Sequence, residues 1–193
     1  FTYTPEADFN GADSFTYRVN DGELASGVAT VSLTVNPVND APTTSPVVLA
    51  AIAEDSGVRV ISQAELLGNA QDIDGPGLVA TDLIITSGKG NLVDNLDGSW
   101  NYTPAQDDDT AVSFGYIITD GDLGVAGSAA LDITPVNDAP VAADDTASVV
   151  RNGSVTIPVL DNDSDVEGDV LTPVLVAGSG PAHGTLTVNA DGS

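Results

Sequence analysis

Internal repetition constrains this chain more than any other feature. Pro37-Val38-Asn39-Asp40-Ala41-Pro42 returns 98 residues later as Pro135-Val136-Asn137-Asp138-Ala139-Pro140. Phe1-Thr2-Tyr3-Thr4-Pro5 pairs with Trp100-Asn101-Tyr102-Thr103-Pro104, and Ser14-Phe15-Thr16-Tyr17 with Ser113-Phe114-Gly115-Tyr116. Asn69 to Leu78 matches Asn162 to Leu171, and Asn95-Leu96-Asp97-Gly98-Ser99 matches Asn189-Ala190-Asp191-Gly192-Ser193. A sequence that repeats in the same order folds as a repeated unit. The unit is about 98 residues: a back part at 1–36, a complete copy at 41–136 and a front part at 140–193. Ser193 falls where Ser99 stands in the complete copy and Phe1 where Trp100 stands, so the two parts add up to one repeat. Neither part holds a full set of strands. Two expectations follow: one molecule's tail complements the next molecule's head, a heterologous contact that propagates unless its geometry closes, or the segment is cut from a longer ordered array.

Within the unit the period is two. Val31, Leu33 and Val35 alternate with Thr30, Ser32 and Thr34; Phe15, Tyr17 and Val19 alternate likewise, as do Val155, Ile157 and Val159, and Leu186 with Val188. Turn dipeptides punctuate these runs at Asn10-Gly11, Asp21-Gly22, Asp97-Gly98, Asp120-Gly121 and Asn152-Gly153. No window carries a sustained helical stripe. About seven short strands per unit, with turns between them, predict an all-β chain of tandem immunoglobulin-like Greek-key sandwiches. The proline-flanked strings are the linkers, where fixed φ angles limit how successive sandwiches can swing. Trp100 with Tyr102, and Phe114 with Tyr116, sit two apart, the spacing of core-facing strand residues.

Charge decides which functions remain. The chain has 29 acidic and 4 basic residues, a net charge of −25. Arg18, Arg59, Lys89 and Arg151 cannot build a basic groove, which excludes nucleic-acid binding and disfavours anionic membrane surfaces. The longest apolar run, Val47 to Ala53, is too short for membrane insertion. A hydrophobic fraction of 41% still provides for packed cores. Cysteine is absent, so a secreted chain of this kind needs another staple, and bound cations suit its acids. Asp72-x-Asp74 and Asp165-x-Glu167 occupy equivalent places in successive units, and acids one residue apart on a loop can place two carboxylates on one hard cation.

Glu54-Asp55, Leu67-x-Asn69, Asp72-Ile73-Asp74-Gly75, Asn95-x-Asp97-Gly98, Tyr102-Thr103-Pro104, Asp120-Gly121 and the closing Val-Asn-Asp-Ala-Pro together resemble the bacterial cadherin-like tandem repeats of giant RTX-type and VCBS-type surface adhesins. The resemblance covers nearly the whole chain. It implies Ca²⁺ at each linker, with neighbouring repeats of the same chain as partners. On this reading a first site joins Asp8, Asn39, Asp40, Asp72 and Asp74, and a second joins Glu54, Asp107, Asn137, Asp138, Asp165 and Glu167. Cadherin linkers usually read Asp-x-Asn-Asp-Asn-Ala-Pro; here the segment is one residue shorter and Pro37 or Pro135 stands near the first aspartate, which implies fewer ions per junction. The resemblance further implies a calcium-stiffened extender at the bacterial cell surface, serving adhesion and biofilm formation and exported by type I secretion.

Other motifs fail on spacing. Asp161-Asn162-Asp163-Ser164-Asp165 imitates an EF-hand loop, but Val166 replaces its glycine and Thr172 its bidentate glutamate. Asp55-Ser56-Gly57 resembles an aspartic-protease triplet without a second copy to form a dyad. His183, the single histidine, has no companions for zinc or a nucleophilic triad. The chain is thus read as a non-enzyme. The competing readings are a carbohydrate- or protein-binding module, which requires an exposed aromatic beside a polar groove, and a glycosidase, which requires a concave pocket with a carboxylate in an apolar setting.

Overall fold

In the computed structural model, which describes residues 1–75 and 77–189, the repeat becomes one complete sandwich flanked by two partial units. The Asn-Ala-Asp-Gly-Ser copy lies, beyond Asn189, outside the described residues. The first unit is a ribbon of β1 (Gly11–Tyr17) and β2 (Ala29–Val35), paired antiparallel with Phe15 opposite Val31. In β2 the expected alternation holds: Ala29, Val31, Leu33 and Val35 are half-buried and the residues between them exposed. Phe15 is half-buried, while Val19 lies beyond the strand and is exposed.

The complete copy begins with β3 (Val47–Val48) and β4 (Ile52–Ala53), then β5 (Arg59–Ser62), a single helical turn α1 (Gln63–Leu66) and β6 (Val79–Ser87). It continues through β7 (Asn91–Asp94), β8 (Ser99–Thr103), β9 (Val112–Thr119), β10 (Gly124–Leu131) and β11 (Ile133–Thr134). One sheet runs β3-β10-β9-β6 and the facing sheet β5-β8-β7, while β4 pairs with β11. The chain crosses between the sheets after β5, β6 and β8, which is the Greek-key path of an immunoglobulin-like sandwich. The opening strand is split: β3 runs parallel to β10 and β4 parallel to β11, so the first and last strands of the copy lie side by side.

The core is built from the alternating residues. Val112, Phe114, Tyr116 and Ile118 of β9 face Trp100 and Tyr102 of β8, with Ile61 and Leu66 beneath them, all buried. The Tyr102 and Phe114 rings meet edge to face at 5.4 Å, a favoured quadrupole geometry. Each buried hydroxyl has a partner: Tyr102 donates to the Lys89 carbonyl at 2.6 Å and Tyr116 to the Leu66 carbonyl at 2.8 Å. The acceptors are carbonyls at the end of α1 and in the β6–β7 turn. Gly90 holds φ at +121°, and a Cβ there would come within 2.6 Å of the Thr103 carbonyl, so only glycine fits this turn. The helical turn owes its place to a capping box in which Ser62 and Glu65 exchange side-chain and backbone hydrogen bonds.

The third unit corrects the sequence reading. Val155, Ile157 and Val159, and Leu186 with Val188, were expected as strands, yet residues 142–189 form no strand among the described residues. Period-two patterning marks a half-buried strand only where a partner strand takes up the ladder hydrogen bonds.

Candidate metal centre

Each junction is built by the same local contacts. In the second unit Thr43 and Gln71 exchange backbone hydrogen bonds at 2.8 and 2.9 Å; in the third, Val141 and Ser164 do so at 2.8 and 3.0 Å. This isolated bridge pins the loop that follows beside the linker that precedes it. Consequently Asp74 accepts from the Asp40 backbone N–H at 2.6 Å, and Glu167 accepts from the Asp138 N–H at 3.3 Å. The loops tighten themselves as well: Asp72 accepts from the Asp74 N–H at 2.8 Å, and Asp165 from the Asp169 N–H at 3.0 Å.

The preceding unit supplies the opposite wall. Asp8 and Asp107, equivalent residues after the Tyr-Thr-Pro strings, both sit in the left-handed region at φ 60° and 51°. Aspartate enters that region more readily than most residues. Glu54, at the end of β4, is buried and accepts from the Val136 N–H at 2.6 Å, which fixes the outgoing linker against the sandwich. Asp55, also left-handed at φ 55°, accepts from the Asp107 N–H at 3.4 Å.

At the second junction Asp55, Asp107 and Asp138 each present a carboxylate oxygen within 4.8 Å of the others. Asp165 and Glu54 add to the negative field there: burial first, then Asp107, Asp55, Glu54 and Asp165, raises the Asp138 carboxyl above the ordinary aspartate range. Asp138 Oδ2 is fully buried and has no hydrogen-bond partner. Neither ion pair among the described residues touches a junction, since Arg59 pairs with Glu65 and Lys89 with Asp108. Asn137 is turned aside, its amide donating to the Asp138 carbonyl at 2.7 Å.

At the first junction Asp8, Asp40 and Asp72 line one cleft of about 480 Å³, and Asp8, Asn39 and Asp74 line an adjoining one of about 460 Å³. Asp72 Oδ2 is the second buried oxygen without a partner. Here the acids surround open space and do not converge on a single point as the second set does. The Asn39 amide donates to Asp120 in the β9–β10 turn at 2.8 Å, which ties the linker to the sandwich that follows it. The Leu123 N–H first, then Asn39, holds the Asp120 carboxyl below its usual range.

Of the residues named from the sequence, Asp107 and Asp138 converge; Glu54, Asp74 and Glu167 hold linker backbone; Asp165 and Asp72 complete the acidic walls. Two contributors lie outside the ligand sets expected from the sequence: Asp55, which enters there through the Glu54-Asp55 motif and a protease-like triplet, and Asp120, which enters through the Asp120-Gly121 turn motif. Both signals were present in the acidic turn dipeptides; their direction was not.

The donor set fits a hard divalent cation. All candidate groups are oxygens, nothing soft or imidazole stands nearby, and a carboxylate oxygen shut off from water and from donors requires a counter-charge. The geometry is thus that of a Greek-key sandwich with acids gathered at its linker ends. The chain belongs to the cadherin-like domain family, whose model matches residues 38–134. A bacterial Ig domain model matches residues 1–34 and 137–193. Such domains are typically non-enzymatic. Integrin beta-like protein A of Dictyostelium discoideum is 30% identical over 175 residues, covering 79% of this chain and 9% of that protein. The chain thus spans less than a tenth of that relative's length. Among solved structures, the endo-fucoidan hydrolase MfFcnA4 of glycoside hydrolase family 107 aligns at 22% identity over 72% of this chain and 22% of its own, with a TM-score of 0.36. MfFcnA9 of the same family aligns at 22% identity over 67% and 23%, with a TM-score of 0.33. No helix among the described residues is long and apolar enough to cross a membrane.

Proposed function

We propose that this chain is a calcium-stiffened extender segment of a large bacterial surface adhesin, non-enzymatic and exported to the cell surface. The observation that carries the proposal is the pair of unpartnered buried carboxylate oxygens, Asp72 Oδ2 and Asp138 Oδ2, one at each linker. A bound Ca²⁺ supplies the positive charge that lets several carboxylates share one small volume. Asp55, Asp107 and Asp138 would hold it at the second junction, and Asp8, Asp40 and Asp72 at the first. Glu54, Asp74 and Glu167 keep the linker backbone docked so that those acids face one another. Without a cation the same acids repel, and the linker is the softest place for that repulsion to be relieved.

The four aromatic residues of β8 and β9 speak against the ligand-binding alternative. Trp100, Tyr102, Phe114 and Tyr116 are all buried, so none offers a stacking face for a sugar. Calcium titration tests the proposal by following melting temperature and X-ray scattering dimensions together. Calcium should raise the first and extend and narrow the second. If chelator leaves both unchanged, the calcium-rod mechanism is wrong.

A further inference from the structure

The chain contains two Asn-Gly pairs, Asn10-Gly11 and Asn152-Gly153. In such a pair the glycine has no Cβ to keep its backbone nitrogen away from the preceding side chain, so the asparagine amide is chemically labile. Asn10 is exposed, directly precedes β1, and lines the cleft of about 460 Å³ that also holds Asp8, Asn39 and Asp74. Its repeat equivalent, 99 residues on, is Asp109, so the second unit already carries a carboxylate at this place. The side-chain amides of Asn39, Asn69, Asn95, Asn137 and Asn162 each donate a hydrogen bond. That of Asn10 makes none among the described residues.

Gly11 stands in open space at φ +123°, with nothing within 4 Å of where a Cβ would lie. It pairs with Val35 on the outermost rung of the β1–β2 ladder, and the end of a ladder opens at far less cost than its middle. Asn152-Gly153 differs on both counts. There the glycine N–H donates to the Val150 carbonyl at 2.9 Å, and a Cβ on Gly153 would meet the Val150 side chain at 3.0 Å. That pair lines neither cleft of the first junction.

We propose that Asn10 is a self-modification site, where deamidation turns an uncharged cleft residue into an acidic ligand of the first junction. The Gly11 nitrogen attacks the Asn10 side-chain carbonyl carbon and closes a five-membered imide. The side-chain nitrogen leaves as ammonia, taking the proton that the Gly11 nitrogen gives up. Water then opens the ring: attack at the side-chain carbonyl leaves aspartate, and attack at the backbone carbonyl leaves isoaspartate. Asparagine and water thus become acid and ammonia, with no change of oxidation state. The aspartate joins Asp8 and Asp74 in one cleft. Its effect on calcium rests on the reading of the junctions as calcium sites. A further unit charge about 5 Å from a divalent ion in water strengthens binding about tenfold.

The test compares fresh chain, chain aged at neutral pH, and the Asn10→Asp and Asn10→Gln variants. Peptide mass mapping of aged chain should show Asn10 gaining the mass of an amide-to-acid exchange ahead of Asn152, with ammonia released. Titration calorimetry with calcium alone should show one binding event strengthened about tenfold in Asn10→Asp, and in aged chain in proportion to its conversion. Asn10→Gln, whose longer side chain has to close a larger ring, should not change on ageing. An Asn10 that stays intact while the urea-unfolded chain converts, or that lags behind Asn152, overturns the site. Conversion to isoaspartate alone, or an Asn10→Asp chain that binds calcium no better than fresh chain, overturns the gain of a ligand. If Asn10 converts but no form of the chain responds to calcium, the calcium reading of the junctions fails and the modification site stands.

Discussion

Replacing Asp107 by asparagine separates repulsion from ligation at the second junction. The position is suited to the exchange because Asp107 is left-handed at φ 51°, and asparagine tolerates that region as well as aspartate does. The change therefore removes a charge while leaving the backbone preference intact. Its oxygens lie within 4.8 Å of those of Asp55 and Asp138. At that separation a pair of unit charges repels by about 1 kcal/mol in water and about 3 kcal/mol at an effective dielectric of 20. Asp55 and Asp107 are exposed, so the lower figure applies, and relief from two partners amounts to about 2 kcal/mol in low salt. For a domain of about 100 residues this raises the melting temperature in chelator by roughly 10 °C.

Calcium should reverse the advantage in part. At free calcium 100 times the dissociation constant the unmodified chain gains about 2.7 kcal/mol. A variant that binds tenfold more weakly gains about half of that. Differential scanning calorimetry in chelator and across a calcium series measures both quantities on one sample. The expected pattern is a higher baseline for Asp107→Asn with a smaller calcium increment. Equal increments in both proteins would refute the assignment of Asp107 as a ligand; a lower baseline for the variant would refute the repulsion argument.

Two further outcomes follow from the same contacts. In chelator, stability should pass through a maximum near the unfolded aspartate value, about pH 4. The Asp138 carboxyl is raised, so its contribution is present at low pH and lost as pH climbs through the folded value. Asp108, held near pKa 2 chiefly by the side-chain hydrogen bond with Lys89, contributes above about pH 4 and loses that contribution as pH falls toward 2. Saturating calcium should flatten the upper limb alone, which melting curves across pH will show. Tyr116→Phe removes the buried hydroxyl that donates to Leu66 and leaves that carbonyl unpaired; chemical denaturation should show a loss of about 1–2 kcal/mol with an unchanged calcium increment.

What the sequence made legible was whatever is local or repeated. The alternation of Val31, Leu33 and Val35 and the paired aromatics of β8 and β9 each state on their own which side faces the core, and the sandwich obeys them. The repeat carried further still, since offsets of 98 and 99 residues relate the linkers and the aromatic strand segments of successive units. Two kinds of information were not local. Convergence of Asp55 with Asp107 and Asp138 depends on three loops meeting at one end of the sandwich, and no spacing along the chain encodes it. Val155, Ile157 and Val159 show the same limit from the other side, because their pattern is that of a strand and they form none among the described residues. A pattern of side chains specifies a face; a second surface decides whether that face is used. The acidic junction lies where one repeat meets another, so what spacing along one unit leaves open is held by its neighbour.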